Sequence, residues 1–312
     1  MDILKHNLAI DFMGKRRYAV ILSCLLVVVA IASMATRGFN FGIDFTGGTL
    51  IEVGYPQPVD LEEVRSVLVD GGYTDAQAQN FGTSRDVLVR IAPREDMANA
   101  RLSEAVLDAL RKSHPGVEMR RVEFVGPQVG EELTEQGGLA MIYALIGILI
   151  YIVARFNFRF APGAVIALMH DVLIVMGIFS IWQIEFDLTV LAALLAVIGY
   201  SLNDTIVVFD RIRENFRKMR KGAPQEIINS SINQTLSRTL MTSLTTLVVL
   251  VSLFIFGGEV IHSFSIALIL GVVVGTYSSI YVASTASLAL GISKADLMPV
   301  KKEGSEQEEI TH

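Results

Sequence analysis

The chain has 312 residues, of which 52% are hydrophobic and 19% charged, and its mean hydropathy is +0.49. Soluble domains usually carry about a quarter charged residues, so the composition excludes a wholly soluble protein and implies a polytopic membrane protein with a soluble portion. The net charge of -6 says little about partners, because the placement of Lys and Arg around the spans matters more; the single cysteine, Cys24, excludes an intrachain disulfide.

A membrane span needs roughly 20 mostly apolar residues. The first such stretch, about 18–36, follows "GKRRY" and ends in "IASMATRG". That pattern resembles a signal peptide, but the apolar run is longer than the usual h-region and further spans follow it. The expectation is an uncleaved signal anchor behind a short cytoplasmic segment, 1–17.

A long insert, about 37–137, comes next. It reads as strand "TLIEVGY", helix "VDLEEVRSVLVDGG", strand "AQAQNFG", strand "DVLVRIA", helix "REDMANARLSEAVLDALRKS" and strand "EMRRVEFVG". Alternation in "DVLVRIA", and the helical spacing of Val64, Val67 and Leu68 and of Leu102, Val106, Leu107 and Leu110, carry these assignments. The order β-α-β-β-α-β predicts a ferredoxin-like sandwich able to bury its own small core. Two glycine-bearing stretches bracket it, "FGIDFTGGTLIEV" and "VGPQVGEELTEQGG". Gly47 and Gly48, and Gly126 and Pro127, read either as plain connector turns or as hinges of a moving domain. Asp44, Glu52, Glu131 and Glu132 lie at a wet interface and need no special role.

Five further spans are predicted within 138–291, at about 138–154, 162–184, 188–209, 239–257 and 263–291, before a polar tail at 292–312. Lys5, Lys15, Arg16 and Arg17 precede the first span; Arg155 and Arg159 separate spans two and three; Arg211, Arg213, Arg217, Lys218, Arg220 and Lys221 separate spans four and five. The opposite short loops, "QIEFD" and "GGEVIH", hold no Lys or Arg. This asymmetry predicts that both termini face the cytoplasm and that the insert lies on the outer side. The segment "RIRENFRKMRKG" is amphipathic, with Ile212, Phe216 and Met219 on one face, and suits anionic lipid headgroups or a docking partner.

Polar residues inside these spans are the candidate functional groups. Asp204 lies roughly 8 Å, and Asp171 about 14 Å, from the cytoplasmic ends of their spans at 1.5 Å per residue. On a helix Tyr200, Ser201, Asp204, Val208 and Arg211 form a stripe with Asn203 beside it. His170 precedes Asp171, and Arg238 opens span five below Thr239, Thr242, Ser243, Thr245 and Thr246. A charged Asp in mid-bilayer costs about 2.5–3.5 kcal/mol even on lenient scales. Each residue alone could be a helix-packing hydrogen bonder, and Arg238 could simply snorkel. Together, acids at depth with a nearby base and hydroxyls are what a proton relay or ion path requires. The candidate relay is Asp204, Arg238, Asn203, Asp171 and Thr242; Gly271 and Gly275 in "GVVVG" allow close helix packing. No constellation for catalysis, a metal or a cofactor stands out, and nothing points to nucleic acid.

The stretches "FGIDFTGG", "VGPQVGEEL", "RFAPGAVIALMHDVLI", "VIGYSLNDTIVVFDRIREN", "SRTLMTSLTTLVV" and "GVVVGTYSSIYVAS" resemble, in order, the successive motifs of the SecF family of bacterial protein-export membrane proteins. The resemblance implies an α-helical polytopic membrane protein of the resistance-nodulation-division superfamily, with six transmembrane helices and an α/β ferredoxin-like periplasmic domain between helices 1 and 2. It implies pairing with SecD to give twelve spans, association with the SecYEG channel and with YajC and YidC, and action on preproteins at the bacterial inner membrane. It also implies use of the proton-motive force, or of sodium, to pull preproteins outward. The family's intramembrane Asp falls on Asp204 and its span-five Arg on Arg238, while the acidic partner expected on SecD has no counterpart here. Rival readings are a passive scaffold for the channel and half of a small-molecule exporter.

Overall fold

The computed structural model describes residues 10–94, 99–156, 160–219 and 222–291. The polar tail at 292–312, the first nine residues, Arg159, Arg220 and Lys221 therefore lie outside the described residues.

Among the described residues six helices are long and apolar enough to cross a membrane. The first, α1 (Arg16–Arg37), leads through a two-residue strand β1 (Asn40–Phe41) and a single helical turn α2 (Ile43–Thr46) into the domain built by the insert, termed the outer domain after its expected side. That domain runs β2 (Gly48–Gly54), α3 (Leu61–Asp70), β3 (Gln77–Phe81), β4 (Thr83–Ile91), α4 (Asn99–Ser113) and β5 (Glu118–Val125). The sheet order is β3-β4-β2-β5, with every neighbouring pair antiparallel. Strand alternation accounts for its two faces. Ile51 and Val53 of β2 and Val87, Val89 and Ile91 of β4 are fully buried, packed with Val64 and Leu68 of α3 and Leu102, Val106 and Leu110 of α4. The alternate residues Leu88, Arg90 and Gln79 line the opposite face. At the start of α3, Asp60 accepts a hydrogen bond from the Glu62 amide at 3.0 Å, satisfying one of the free N–H groups of the first turn.

The remaining spans are α5 (Pro127–Arg155), α6 (Ala161–Trp182), α7 (Leu188–Lys218), α8 (Pro224–Phe256) and α9 (His262–Ser278). A π-helical turn at Ser279–Ala283 carries α9 into α10 (Ser284–Ala289), and a short strand β6 (Glu185–Phe186) lies between α6 and α7. Within the bundle α1 packs on α6, and α7 packs on α9 and α8. Outward faces are apolar: Ile21 and Val28 of α1, Ile150 of α5, and Val248, Val249 and Ile255 of α8 are all exposed. That is the arrangement expected where the surrounding solvent is hydrocarbon. An apolar groove of about 620 Å³ runs between α1, α6 and α10, with Cys24 and His170 in its lining.

Two expectations are corrected. The stretch read as a second connector, "VGPQVGEELTEQGG", is helical from Pro127 onward, because proline at the first helical position needs no amide partner and already holds a helical φ. Gly126 is the N-cap, so the chain turns there without a flexible link behind it. The apolar face of the basic segment meets the protein's own core instead of lipid or a partner: Ile212 and Phe216 are buried among Ile227, Ile228 and Ile232 of α8. The chain just before α1 is also packed, with Phe12 and Met13 buried in the same cluster. Asn229 accepts hydrogen bonds from the Phe12 and Met13 amides at 2.8 and 3.1 Å, and Asn233 accepts one from Ile10 at 3.0 Å.

Gly47 and Gly48 sit in a tight junction. Both have positive φ, +68° and +124°, which glycine adopts without the usual penalty. A Cβ on Gly47 would lie 2.9 Å from the Pro127 Cα, and one on Gly48 would lie 2.5 Å from the Ile91 carbonyl oxygen. The two brackets of the outer domain thus pack against each other.

Candidate functional site

The polar residues of the spans fall into two groups around α7. The first centres on Asp171 of α6, which is fully buried. Its Oδ2 accepts hydrogen bonds from Ser201 Oγ of α7 at 2.5 Å and from Ser278 Oγ of α9 at 2.7 Å. Its Oδ1 lies 2.9 Å from His170 Nδ1. Gly275 permits this convergence: a Cβ there would lie 3.0 Å from the Ser201 Cβ. The four groups tie α6, α7 and α9 together at one level, next to the π-helical turn that begins at Ser279. His170 Nε2 is buried without a hydrogen-bond partner.

The second group centres on Asp204. It is 3% exposed, and its Oδ2 is occluded with no hydrogen-bond partner. Arg238 of α8 is close enough for its charge to act on Asp204, yet no ion pair joins them within 4 Å among the described residues. Arg238 and the neighbouring Asn203 are both exposed, so this edge of α7 and α8 presents an amide and a guanidinium outward beside a buried carboxyl. The hydroxyls of Thr205 and Thr239 are likewise buried and unpartnered. A buried polar group without a partner costs free energy, and polar groups facing lipid are costly too. The edge is therefore chemically incomplete as it stands.

A hydroxyl chain lies nearby. Tyr200 donates to Ser243 Oγ at 3.3 Å, and Ser243 lies 2.7 Å from Thr276 Oγ1. Thr242, one residue earlier, instead donates back to the Arg238 carbonyl at 2.9 Å, the local bond that hydroxyls on helices commonly make. The geometry thus brings together Asp204 and Arg238, with Asn203 alongside, and places Asp171 in a separate closed network. Ser201 and Ser243 belong to the polar stripes read from the sequence, whereas Ser278 is a participant that sequence reasoning missed. "SS" inside the apolar "GTYSSIYVAS" is the one hint that span six has a polar face.

Gly271 and Gly275 both face α7. A Cβ on Gly271 would lie 2.6 Å from Val197 Cγ1 and closer still to Cγ2. Among the described residues no group of three or more His, Cys, Asp or Glu is placed to hold a metal ion.

Two family models match the chain. "SecD/SecF GG Motif" covers residues 32–59, and "Protein export membrane protein SecD/SecF, C-terminal" covers residues 105–293. A protein translocase subunit SecF from Vibrio alginolyticus is 55% identical over 312 residues, covering 99% of both chains. The chain belongs to the SecF family. Further SecF relatives are those of Pseudomonas aeruginosa, 54% identical over 93% of this chain and 94% of its own, and of Escherichia coli O157:H7, 48% identical over 96% and 94%.

Among solved structures, SecDF from Thermus thermophilus, described as a translocon-associated membrane protein, matches with a TM-score of 0.82 at 40% identity. SecDF in a super-membrane-facing form matches with a TM-score of 0.67. In both cases 90% of this SecF-family chain is covered but only 38% of the SecDF chain. The GG-motif match includes Asp44, Gly47 and Gly48, and the longer match includes both the Asp171 network and the Asp204 edge.

Proposed function

We propose that this chain is the SecF subunit of a Sec translocase accessory complex. Paired with SecD, it uses the proton-motive force or a sodium gradient to promote preprotein translocation and release across the bacterial inner membrane. It works as a transport subunit and not as an enzyme. The observation that carries this reading is the Asp204 edge: a buried, unpartnered carboxyl beside an exposed Arg238 is half of an ion relay and calls for a second chain to complete it. The coverage of the SecDF chain by this one, 38%, leaves ample length there for a SecD-like half.

In this reading both termini are cytoplasmic, in keeping with the Lys/Arg asymmetry, and the outer domain is a ferredoxin-like sandwich on the periplasmic side. SecYEG, with YajC and YidC, would supply the channel context. The superfamily is that of resistance-nodulation-division transporters. One charge crossing 100 mV yields about 2.3 kcal/mol, enough to shift a helix-packing equilibrium substantially. Protonation or ion occupancy at Asp204 would alter the packing of α7 against α8 near Arg238.

The test is preprotein release from vesicles holding the full complex, with and without an ion gradient. Asp204→Asn is expected to abolish the gradient-dependent gain while SecD still co-purifies in normal yield. Full gain in that variant would sink the relay reading. A lower yield of complex with unchanged activity per complex would favour a passive scaffold.

A further inference from the structure

The outer end of α7 is held by the rest of the chain in unusual detail. Its N-cap, Asp187, accepts hydrogen bonds from the Val190 amide at 2.8 Å and the Thr189 hydroxyl at 2.7 Å. A second carboxylate comes from the far side of the outer domain's entry: Asp44 of α2 accepts from the Leu188 amide at 2.9 Å. Acidic groups at a helix N-terminus satisfy free amides and complement the helix dipole.

Immediately before α7, β6 pairs in parallel with β1, matching Asn40 with Glu185 and Phe41 with Phe186. The Gly42 amide donates to the Phe186 carbonyl at 2.9 Å, and Phe186 packs against Phe39, Phe41, Phe45 and Phe179.

Glu185 then reaches into the outer domain. It forms an ion pair with Arg90 of β4 and accepts a hydrogen bond from Gln79 of β3 at 3.1 Å. The Arg90 and Glu185 side chains are 13% and 21% exposed. Arg90 also donates to the Phe41 carbonyl at 2.6 Å. One loop between α6 and α7 is therefore bonded to two strands of the sheet, to the chain leaving α1, and to the helix that carries Asp204. Asp204 lies about 24 Å along α7 from Leu188, at 1.5 Å per residue, and an unbroken helix transmits an axial displacement over that length.

We propose that Asp44, Glu185 and Arg90 are positioning residues for the ion-coupled step, fixing the outer end of α7 to the sheet so that movement begun at Asp204 reaches the outer domain through the α6–α7 loop. The proposal rests on the relay reading of Asp204. The glycine brackets offer a weaker connection: Gly47 packs on Pro127, and the second bracket meets α7 where Gly137 lies against the Leu191 side chain, an apolar contact without the hydrogen bonds that Asp44 and Glu185 supply. The α8–α9 loop meets the sheet by contact alone, where Glu259 lies against Gly82.

The test again uses the full complex in vesicles, and reads preprotein release with and without the gradient together with the yield of complex. Arg90→Gln and Glu185→Gln should each cut the gradient-dependent gain roughly fivefold or more, the lower end of ordinary coupling between sites. Gradient-independent release and SecD co-purification should stay unchanged. The exchanged pair Arg90→Glu with Glu185→Arg should restore most of the gain. Asp44→Ala should reduce the gain, whereas Asp44→Asn, which keeps an acceptor at the helix end, should retain it. Full gain in both Arg90→Gln and Glu185→Gln, in complexes where Asp204→Asn has lost it, would overturn this route and leave the relay reading intact. Loss of both release components without rescue by the exchange would reduce the pair to a structural brace and overturn the proposal. Full gain in Asp204→Asn would remove its foundation.

Discussion

Gly177→Ala is expected to lower the stability of the membrane bundle by about 1–3 kcal/mol or more, the cost of overpacking a close-packed interface. Gly177 of α6 faces α1 so closely that an added Cβ would lie 2.6 Å from the Ala30 Cα, and closer still to its Cβ. Because the obstacle includes backbone, no side chain can rotate aside, and α1 itself must move. Ala30→Gly should therefore rescue little. Gly271→Ala makes a useful contrast, since the atoms it would meet belong to the Val197 side chain. Adding Val197→Ala should recover part of that loss, because the two γ-carbons go and the Cβ that remains, at 2.9 Å, needs only a small shift. Thermal unfolding of the purified protein in detergent, followed by circular dichroism, reads both pairs. An unchanged midpoint for Gly177→Ala, or equal rescue in the two pairs, would contradict the geometry.

The second large effect is expected at Asp171. Replacing it by alanine strips the partner from Ser201, Ser278 and His170, all of them buried. A buried donor left without a partner costs about 1–3 kcal/mol. Two of the three have alternatives, however: Ser278 already reaches the Gly275 carbonyl at 3.1 Å, and a helical serine can bond to the preceding turn. A net loss of about 2–3 kcal/mol is expected for Asp171→Ala. Asp171→Asn keeps an acceptor and most of the volume, so about 1 kcal/mol is expected there. If the two variants unfold at the same temperature, the network is not what holds α6, α7 and α9 together. Gradient-dependent export in Asp171→Asn separates this closed network from the open Asp204 edge: it should survive where Asp204→Asn loses it.

Much of this architecture is legible in the sequence because both of its periodicities are strong. The spans stand out as apolar runs, and the strands and helices of the outer domain follow from the alternation around Val87 and Val89 and the spacing from Leu102 to Leu110. What hydropathy hides is where a span continues into polar surroundings. The segment "PQEIINSSINQTLS" is too polar to register as membrane helix, yet it forms the first turns of α8, and Ile227, Ile228, Ile232 and Leu236 fall on one helical face. That spacing also reveals the face that covers Ile212 and Phe216, which read as a lipid-binding surface only while no partner for them is in view. Pro127 misleads in the other direction, since proline breaks a helix interior but opens a helix readily.

The candidate site divides in the same way. Asp204 and Asp171 are conspicuous because acids are rare at such depth. Their different surroundings depend on contacts between residues far apart in sequence, such as Asp171 with Ser278. No local pattern separates the closed acid from the open one. The Arg90–Glu185 pair is hidden for the same reason, because each residue taken alone reads as an ordinary surface charge.

The clasp around the first span has a consequence for biogenesis. Phe12 and Met13 are bound by Asn229, which lies 217 and 216 residues later in the chain. At synthesis rates of 5–20 residues per second the first span waits roughly 10–40 s before its anchor on α8 exists. Throughout that interval the nascent chain holds its orientation without this anchor, by the basic residues Lys5, Lys15, Arg16 and Arg17, and the fifth span, on arrival, locks in place a topology already chosen.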